Sequence, residues 1–202
     1  MFYEPSKGHG LPHDPFKAIV SPRPIGWISA RGKEGALNLA PYSFFNALST
    51  KPYLVWFSSE GEKDSVIFPR ETGEFVVNLV SRGLAEQMNA SSVDAPRGVS
   101  EFGYAGLTAA PSVMVAAPRV AEAVAALECR LTEIYEPRDS SGNHAGVWVV
   151  TGEVVGIHID ESVMTDGLFD AVKAGNVARL GYMDYSAVTE TFAMRRPRWK
   201  AD

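Results

Sequence analysis

Cysteine is almost absent from the sequence, and its few histidines are not clustered. Cys129 is the only cysteine among 202 residues, so an intrachain disulfide is impossible and a thiolate metal cluster is implausible. The histidines show neither an HExxH pattern nor the spacing of a facial triad: they are His9, His13, His144 and His158. We therefore predict no metal site.

Long apolar runs and an excess of positive charge are also missing. No stretch approaches the roughly 20 apolar residues of a membrane span, and the N-terminus lacks the basic and apolar regions of a signal peptide. The 19 basic and 24 acidic residues give a formal charge of -5, which leaves no electrostatic footprint for nucleic acid. We therefore predict a cytoplasmic protein with neither a membrane nor a nucleic-acid partner, in which any phosphate group is held locally.

Common nucleotide-binding and hydrolase signatures are missing as well. No GxGxxG or P-loop pattern follows a predicted strand, and no GxSxG motif is present.

With 46% apolar and 21% charged residues, the chain can bury a sizeable core. We predict one domain over residues 1–202, with an extended N-terminal arm over 1–16 and a C-terminal extension over 165–202.

Segments rich in β-branched and aromatic residues predict about six strands. Residues 25–45 predict a hairpin, and residues 53–59 and 74–80 predict neighbouring strands of one sheet. The alternation over residues 124–137 fits a strand although the composition also fits a helix, and pairing with residues 147–160 favours a second hairpin. The fold is predicted to be mainly β, an antiparallel barrel with a few peripheral helices.

The stretch "NLAPYSFFNALSTKP", residues 38–52, combines aromatic surface with hydroxyl and amide groups. Backbone N–H groups are expected to be released where Pro41 interrupts strand pairing. This combination suits a planar heterocycle with one apolar edge and one hydrogen-bonding edge, such as an isoalloxazine. The alternative is that Phe44 and Phe45 are core residues of the barrel.

The stretch "SSEGEKDS", residues 58–65, predicts a phosphate site. Lys63 and Ser65 lie where a helix is expected to start, with Asp64 and Ser65 as candidate caps. A cation, a hydroxyl and free N–H groups at a helix start can hold a phosphate. The alternative is that Lys63 is an ordinary solvated side chain.

Taken together, these motifs resemble the flavin reductase-like family, whose fold is an FMN-binding split barrel. The resemblance covers residues 16–163 and is carried in order by "SPRPIGWISA", "NLAPYSFFNALSTKPYLVWFSS", "KDS", "TGEFVVNLV", "ALECRL" and "GEVVGIHID". It implies that the isoalloxazine is lined by Tyr42, Ser43, Phe44, Phe45, Asn46 and Ala47. It also implies that the ribityl phosphate is surrounded by Ser58, Lys63, Asp64 and Ser65, with Arg23 as a further candidate.

Two other residues stand in contexts similar to those of the family. Asn78 lies in the family-like stretch "VVNLV", and the alternative is that it is a structural residue. The glycine-acid-histidine motif of many family reductases is replaced by "GNH", with Asn143 in the acid position and a wider spacing to Gly152. His144 is therefore a candidate for contacting nicotinamide, with a plain turn residue as the alternative, and no other catalytic residue is assigned.

The resemblance implies an NAD(P)H-dependent flavin oxidoreductase that binds FMN and transfers hydride to flavin. An FMN-binding electron carrier without nicotinamide use is the alternative, and a barrel that binds no cofactor is a third reading. We also expect a homodimer, since the long irregular segment 91–112 would be hard for one small barrel to cover. An electron-acceptor protein or a monooxygenase component is the expected further partner.

Overall fold

A curled antiparallel sheet of seven strands forms the centre of the fold. The computed structural model describes residues 1–96 and 98–199, so the last three residues of the predicted C-terminal extension lie outside the described part. The strands, numbered in chain order, are β1 (Arg23–Pro24), β2 (Gly26–Arg31), β3 (Leu37–Tyr42), β4 (Phe45–Thr50), β5 (Tyr53–Glu60), β6 (Glu74–Asn78), β7 (Ala109–Ala110), β8 (Arg119–Val120), β9 (Ala125–Tyr135), β10 (Val147–Ile159), β11 (Met164–Thr165), β12 (Leu168–Phe169), β13 (Val177–Arg179) and β14 (Tyr185–Ala187).

Short helices surround this sheet. The α-helices are α1 (Phe16–Ile19), α2 (Asp64–Thr72), α3 (Ala85–Ala90), α4 (Glu101–Tyr104) and α5 (Ala171–Ala174). Short 3-10 helices are found at Pro5–Lys7, Arg82–Leu84 and Glu161–Val163. Residues 1–16 contain the first of these 3-10 helices, bends at residues 11–13 and the first residue of α1, and the extended N-terminal arm stays a prediction.

The strand order explains why the sheet curls. The seven strands run β3-β2-β6-β9-β10-β5-β4, and every neighbouring pair is antiparallel. β3 and β4 lie at opposite ends of this order, yet only Ser43 and Phe44 separate them in sequence. A flat sheet cannot bring its edges so close, so the sheet bends toward a barrel. The predicted mainly β antiparallel barrel is confirmed.

The two predicted hairpins form as β2–β3 and β9–β10, but the expectation that β5 and β6 are neighbours is wrong. β4 and β10 occupy the two sides of β5, while β2 and β9 occupy those of β6. The long β9–β10 hairpin thus separates two strands that follow each other in sequence. The connection between β5 and β6 contains α2, which packs against β2 and β6.

Aromatic side chains fill the interior of the barrel. Phe57 and Phe75 are fully buried, with ring centroids 5.6 Å apart and ring planes at 76°. Gly152 leaves room for this pair, because a Cβ there would lie 2.6 Å from the Phe75 ring. Cys129 belongs to the same buried cluster, and burial raises the pKa of its thiol. The single cysteine is therefore an apolar packing group rather than a nucleophile.

A buried carboxylate ties part of the segment between β7 and β8 to the sheet. Glu128 on β9 has no exposed surface and accepts hydrogen bonds from Val113 N at 2.8 Å, from Met114 N and from Val115 N at 3.1 Å. His158 Nε2 on β10 also contacts this carboxylate. Burial alone would raise the pKa of Glu128, but the hydrogen bonds from His158 and the backbone hold that pKa below its ordinary value. His158 is thus a strand histidine with a satisfied partner.

Candidate functional site

The chain bends between β3 and β4, in the middle of the stretch predicted to bind a planar ring. Ser43 and Phe44 form this bend, and the Phe44 carbonyl accepts a hydrogen bond from Ser58 N at 2.9 Å. Pro41 does not interrupt the pairing, contrary to expectation, because it lies within β3 opposite Trp27. The interruption comes two residues later, and within residues 1–96 and 98–199 the N–H groups of Ser43 and Phe44 donate no hydrogen bond. Both N–H groups are available to a ligand.

Arg23 holds the bend in place. Its side chain is only 7% exposed, and its guanidinium donates to the carbonyls of Lys17, Val20 and Leu180, the last at 2.8 Å. Its Nε lies 3.4 Å from Ser43 Oγ. Since most of its donors already have partners, Arg23 positions the bend, while its contact with a phosphate stays a prediction.

Tyr42 connects the bend to β5. Its ring centroid lies 5.0 Å from that of the buried Phe57, and its hydroxyl lies 3.5 Å from Ser59 Oγ. Ser59 Oγ in turn donates to the carbonyl of Gly61 at 3.1 Å. The Tyr42 side chain is thereby fixed with one edge on the core and its hydroxyl near the loop that leads to α2.

Three cavities meet around Pro41. The first, about 300 Å³ and called the serine cavity here, is lined by Lys17, Pro41, Tyr42, Ser43, Phe44, Ser58, Ser59, Glu60, Lys63 and Val147. The second, about 340 Å³ and called the helix cavity, is lined by Asn38, Ala40, Pro41, Tyr42, Lys63, Asp64, Ser65, Ser91, Ser92, Val93, Asp94, Ala95 and Glu101. The third, about 810 Å³ and called the basic cavity, is lined by Lys17, Arg23, Ile25, Pro41, Ser43, Arg82, Ala85, Glu86, Met88, Asn89, Ser92, Arg179, Leu180, Tyr182, Met183 and Tyr185.

The N-terminus of α2 forms one wall of the helix cavity. The N-cap is Lys63 and makes no side-chain capping bond, so the expectation that Asp64 and Ser65 cap the helix is wrong: they are its first two residues. Ser65 is fully buried, and its hydroxyl donates to Asn38 Oδ1 at 2.6 Å. The helix ends at Gly73, whose left-handed φ of 77° suits glycine. A helix start that faces a polar cavity favours an anion there.

Lys63 lies between two of the cavities. It lines both the serine cavity and the helix cavity, and its Nζ is 3.2 Å from Asp94 Oδ1. Both side chains are more than half exposed, and such surface pairs contribute little to stability. An anionic ligand can therefore replace Asp94 as the partner of Lys63 at small cost.

Glu101 places a carboxylate beside the helix cavity. It accepts hydrogen bonds from Leu39 N at 3.0 Å and from Asn38 Nδ2 at 3.4 Å. Burial raises the pKa of Glu101, the hydrogen bonds oppose that effect, and the nearby charge of Asp64 raises the pKa further.

Three of the residues predicted to line the isoalloxazine lie away from these cavities. Phe45 instead lines a separate apolar cavity of about 300 Å³, and a Cβ on Gly26 would lie 2.6 Å from its ring. Asn46 and Ala47 are exposed on β4, where Asn46 Oδ1 accepts a hydrogen bond from Ala47 N at 2.8 Å. Any role for Asn46 and Ala47 in ring binding stays a prediction.

Asn78 and His144 have partners of different kinds. Asn78 is fully buried and donates to the Trp27 carbonyl at 3.0 Å, which supports its structural reading. The His144 ring lies in the β9–β10 loop, where Nδ1 is 2.8 Å from Glu136 Oε2. His144 lines none of the three cavities, although Val147, three residues later, lines the serine cavity. A contact from His144 to nicotinamide stays a prediction.

Sequence reasoning missed residues that only the fold brings to the cavities. Asn38 and Glu101 are joined by a hydrogen bond across 63 positions, and Ser92 and Asp94 come from the loop after α3. Arg82 comes from the 3-10 helix before α3. The polar stretch "NASSVDAP", residues 89–96, was the one sequence feature that could have indicated a binding loop, but it does not indicate which surface this loop faces.

Comparison with known proteins identifies the family of this fold and site. Residues 20–178 match the flavin reductase like domain. An uncharacterized protein of Halalkalibacterium halodurans is 36% identical over 183 residues, which cover 88% of this chain and 87% of the relative. The chain therefore belongs to the flavin reductase-like family.

Solved structures agree with this assignment. Nitrilotriacetate monooxygenase component B from Bacillus cereus superposes with a TM-score of 0.86 at 28% identity, covering 96% of this chain and 98% of that one. A split-barrel protein from Shewanella frigidimarina superposes with a TM-score of 0.77 at 23% identity, covering 91% and 89%. The fold is thus a split barrel, and family membership supports a flavin-related oxidoreductase. Among the described residues, no helix is long and apolar enough to cross a membrane.

Proposed function

We propose that this protein binds FMN and transfers hydride from NAD(P)H to flavin. The observation that carries the proposal is the Ser43–Phe44 bend, whose two backbone N–H groups have no partner among the described residues. Both residues line the serine cavity together with Lys63, and Lys63 and the first residues of α2 line the adjoining helix cavity. The volumes of the serine and helix cavities are those of ligand sites rather than of packing defects. Bound FMN would supply the ring that accepts the hydride.

The donor groups of the site fit the two ends of FMN. At the bend, Ser43 and Phe44 offer two backbone N–H groups, and Ser43 adds its hydroxyl, which suits the polar edge of an isoalloxazine. At the other end, Lys63 and the first turn of α2 suit a phosphate, whose charge favours a helix N-terminus. Ser58 also lines the serine cavity. The protein would contribute orientation and charge rather than an acid or base.

The proposal predicts that a nicotinamide nucleotide reduces the flavin-loaded protein. Anaerobic rapid mixing with NADH or NADPH should bleach the oxidised flavin band in a single-turnover phase, because a bound nicotinamide can approach the ring to the ~3–3.5 Å that hydride transfer needs. Added FMN should then sustain steady turnover, measured as oxidation of the nucleotide.

Two outcomes would contradict this function in different ways. If dithionite or a reduced carrier protein bleaches the bound flavin while neither nucleotide does, the electron-carrier reading replaces the reductase. If the purified protein neither carries flavin nor gains it during incubation with FMN, the barrel that binds no cofactor is correct. The absorption spectrum of the protein, recorded before and after addition of FMN, separates these cases.

We also propose that the protein is a homodimer in the cytoplasm that passes electrons to an acceptor protein. Val99 and Tyr104 lie within the segment 91–112, and Val113 follows it directly. All three side chains are exposed, which supports an interface there. The likeness to a monooxygenase component supports an oxygenase as the acceptor. An obligate dimer interface would bury more than ~2,000 Å². Light scattering at micromolar concentration should give a mass twice the 21.9 kDa of one chain. A flavin-bound monomer would rule the dimer out.

A further inference from the structure

The largest of the three cavities is strongly basic although the whole chain is acidic. The basic cavity contains Lys17, Arg23, Arg82 and Arg179 against the single carboxylate of Glu86. The formal charge of the chain is -5, so a local excess of cations is not a property of the surface in general. Clefts of one sign concentrate ligands of the opposite sign. The basic cavity is therefore suited to an anionic ligand.

Two of the four cations already have structural partners. Arg23 donates to three backbone carbonyls beneath the bend. Arg179 donates to the Tyr182 carbonyl at 2.6 Å, and its guanidinium lies 4.3 Å from the centroid of the Tyr185 ring. Both arginines add positive potential to the cavity. Arg23 has few donors left for a ligand, while Arg179 is held in place by its hydrogen bond to Tyr182 and its contact with the Tyr185 ring.

Lys17 and Arg82 are left as ligand-binding cations. Neither takes part in an ion pair within residues 1–96 and 98–199. Lys17 Nζ lies 5.9 Å from the centroid of the Phe44 ring, at the wall shared with the serine cavity. The backbone of Arg82 is anchored by a hydrogen bond from its N–H to the Gly175 carbonyl at 2.9 Å. Both side chains line the basic cavity, and Lys17 also borders the serine cavity, where the flavin is predicted to bind.

The volume of the basic cavity and the side chains that line it indicate which kind of anion it can bind. Its volume of about 810 Å³ is far larger than an inorganic ion needs and falls within the range of organic ligand sites. Tyr182, Met183 and Tyr185 line it with aromatic and thioether groups, on which a purine ring can stack. Pro41 and Ser43 connect it directly to the bend. A nucleotide with a diphosphate fits all three features.

We propose that the basic cavity binds the ADP half of the nicotinamide nucleotide, with Lys17 and Arg82 as its diphosphate ligands. This inference rests on the proposed function, because it assigns the second substrate of that reaction to a site distinct from the flavin cradle. The shared wall at Ser43 then directs the nicotinamide half toward the ring.

The test is calorimetric titration of ADP-ribose into the FMN-saturated protein. ADP-ribose contains the diphosphate and adenosine but no nicotinamide, so its binding requires no hydride transfer. We expect binding that weakens with added salt and a loss of about tenfold in affinity for either Arg82→Ala or Lys17→Ala, as for one charge-assisted hydrogen bond. Arg31→Ala and Lys33→Ala are matched controls, since both residues lie outside the three cavities, and they should leave the affinity unchanged.

Three outcomes would overturn the assignment: no binding of ADP-ribose, equal affinities for Arg82→Ala and the control Arg31→Ala, or release of FMN when ADP-ribose is added. The last would be seen as a rise in free-flavin fluorescence, and it would mean that both ligands use one cavity. The function is tested separately by flavin bleaching. Bleaching by NADH or NADPH without ADP-ribose binding overturns only the cavity assignment. Binding that depends on Arg82, without bleaching, supports the cavity as an ADP site and overturns the hydride-transfer function.

Discussion

Replacing Lys63 with alanine should weaken FMN binding by about tenfold or more and leave riboflavin binding nearly unchanged. Only FMN carries the phosphate that the Lys63 ammonium and the start of α2 are placed to meet. A charge-assisted hydrogen bond contributes roughly 1.5–3 kcal/mol, which corresponds to a tenfold or larger change in Kd. Fluorescence titration of the apoprotein with each flavin measures both affinities.

The ion pair of Lys63 with Asp94 provides a second variant for the same test. Asp94→Asn removes the competing carboxylate, so FMN should bind equally well or more tightly, whereas Lys63→Ala weakens it. Lys33→Ala serves as the control, because Lys33 lies outside the cavities. Equal losses of FMN and riboflavin in Lys63→Ala would show that Lys63 supports the fold of the site and does not hold the phosphate.

The largest loss of stability is expected for Glu128→Ala. This change leaves three N–H groups and His158 without the carboxylate that they share. Removing one partner from such a buried network should cost about 3 kcal/mol, which lowers Tm by roughly 6–12 °C in a chain of this length. The matched control is Glu153→Ala on β10, which is exposed and should change the free energy of unfolding by less than about 0.5 kcal/mol.

The pH dependence of unfolding tests the same network. The pKa of Glu128 in the folded protein lies below its ordinary value, so its stabilising effect is complete above that ordinary value and is lost as pH falls through the folded pKa. The pKa of Glu101 is raised, so Glu101 has the opposite effect: protonation favours its folded environment. Urea unfolding should therefore show a weaker acid dependence in Glu128→Ala than in the parent protein. Parallel curves for both proteins would mean that Glu128 is not a source of acid sensitivity.

The fold was predictable from the sequence to the extent that its contacts are local. Hairpins β2–β3 and β9–β10 follow from alternation and loop length, and the end of α2 follows from Gly73. The insertion of β9 and β10 between β5 and β6 was not predictable, because strand alternation identifies the buried face but not the neighbour. That choice depends on how the whole barrel closes.

The candidate site shows the same limit. Tyr42, Ser43 and Lys63 come from two nearby segments, and the structure places all three around one cavity. Arg82 on its 3-10 helix and Asp94 in the loop after α3 also reach the cavities, and no local pattern in the sequence indicates this placement. The resemblance to a family identified the ring and phosphate segments because these are contiguous motifs. The basic cavity has no such motif, since its cations come from positions 17, 23, 82 and 179.

The burial of Cys129 makes the protein a convenient subject for site-specific labelling. Its thiol is fully buried and its raised pKa keeps it protonated, so maleimide reagents will not reach it in the folded state. Any cysteine introduced on the surface would then carry the only label, without prior removal of a native thiol. Labels at both exposed positions 31 and 153 can thus report a distance within one chain, and a single label at either position can report a distance between two chains if they associate.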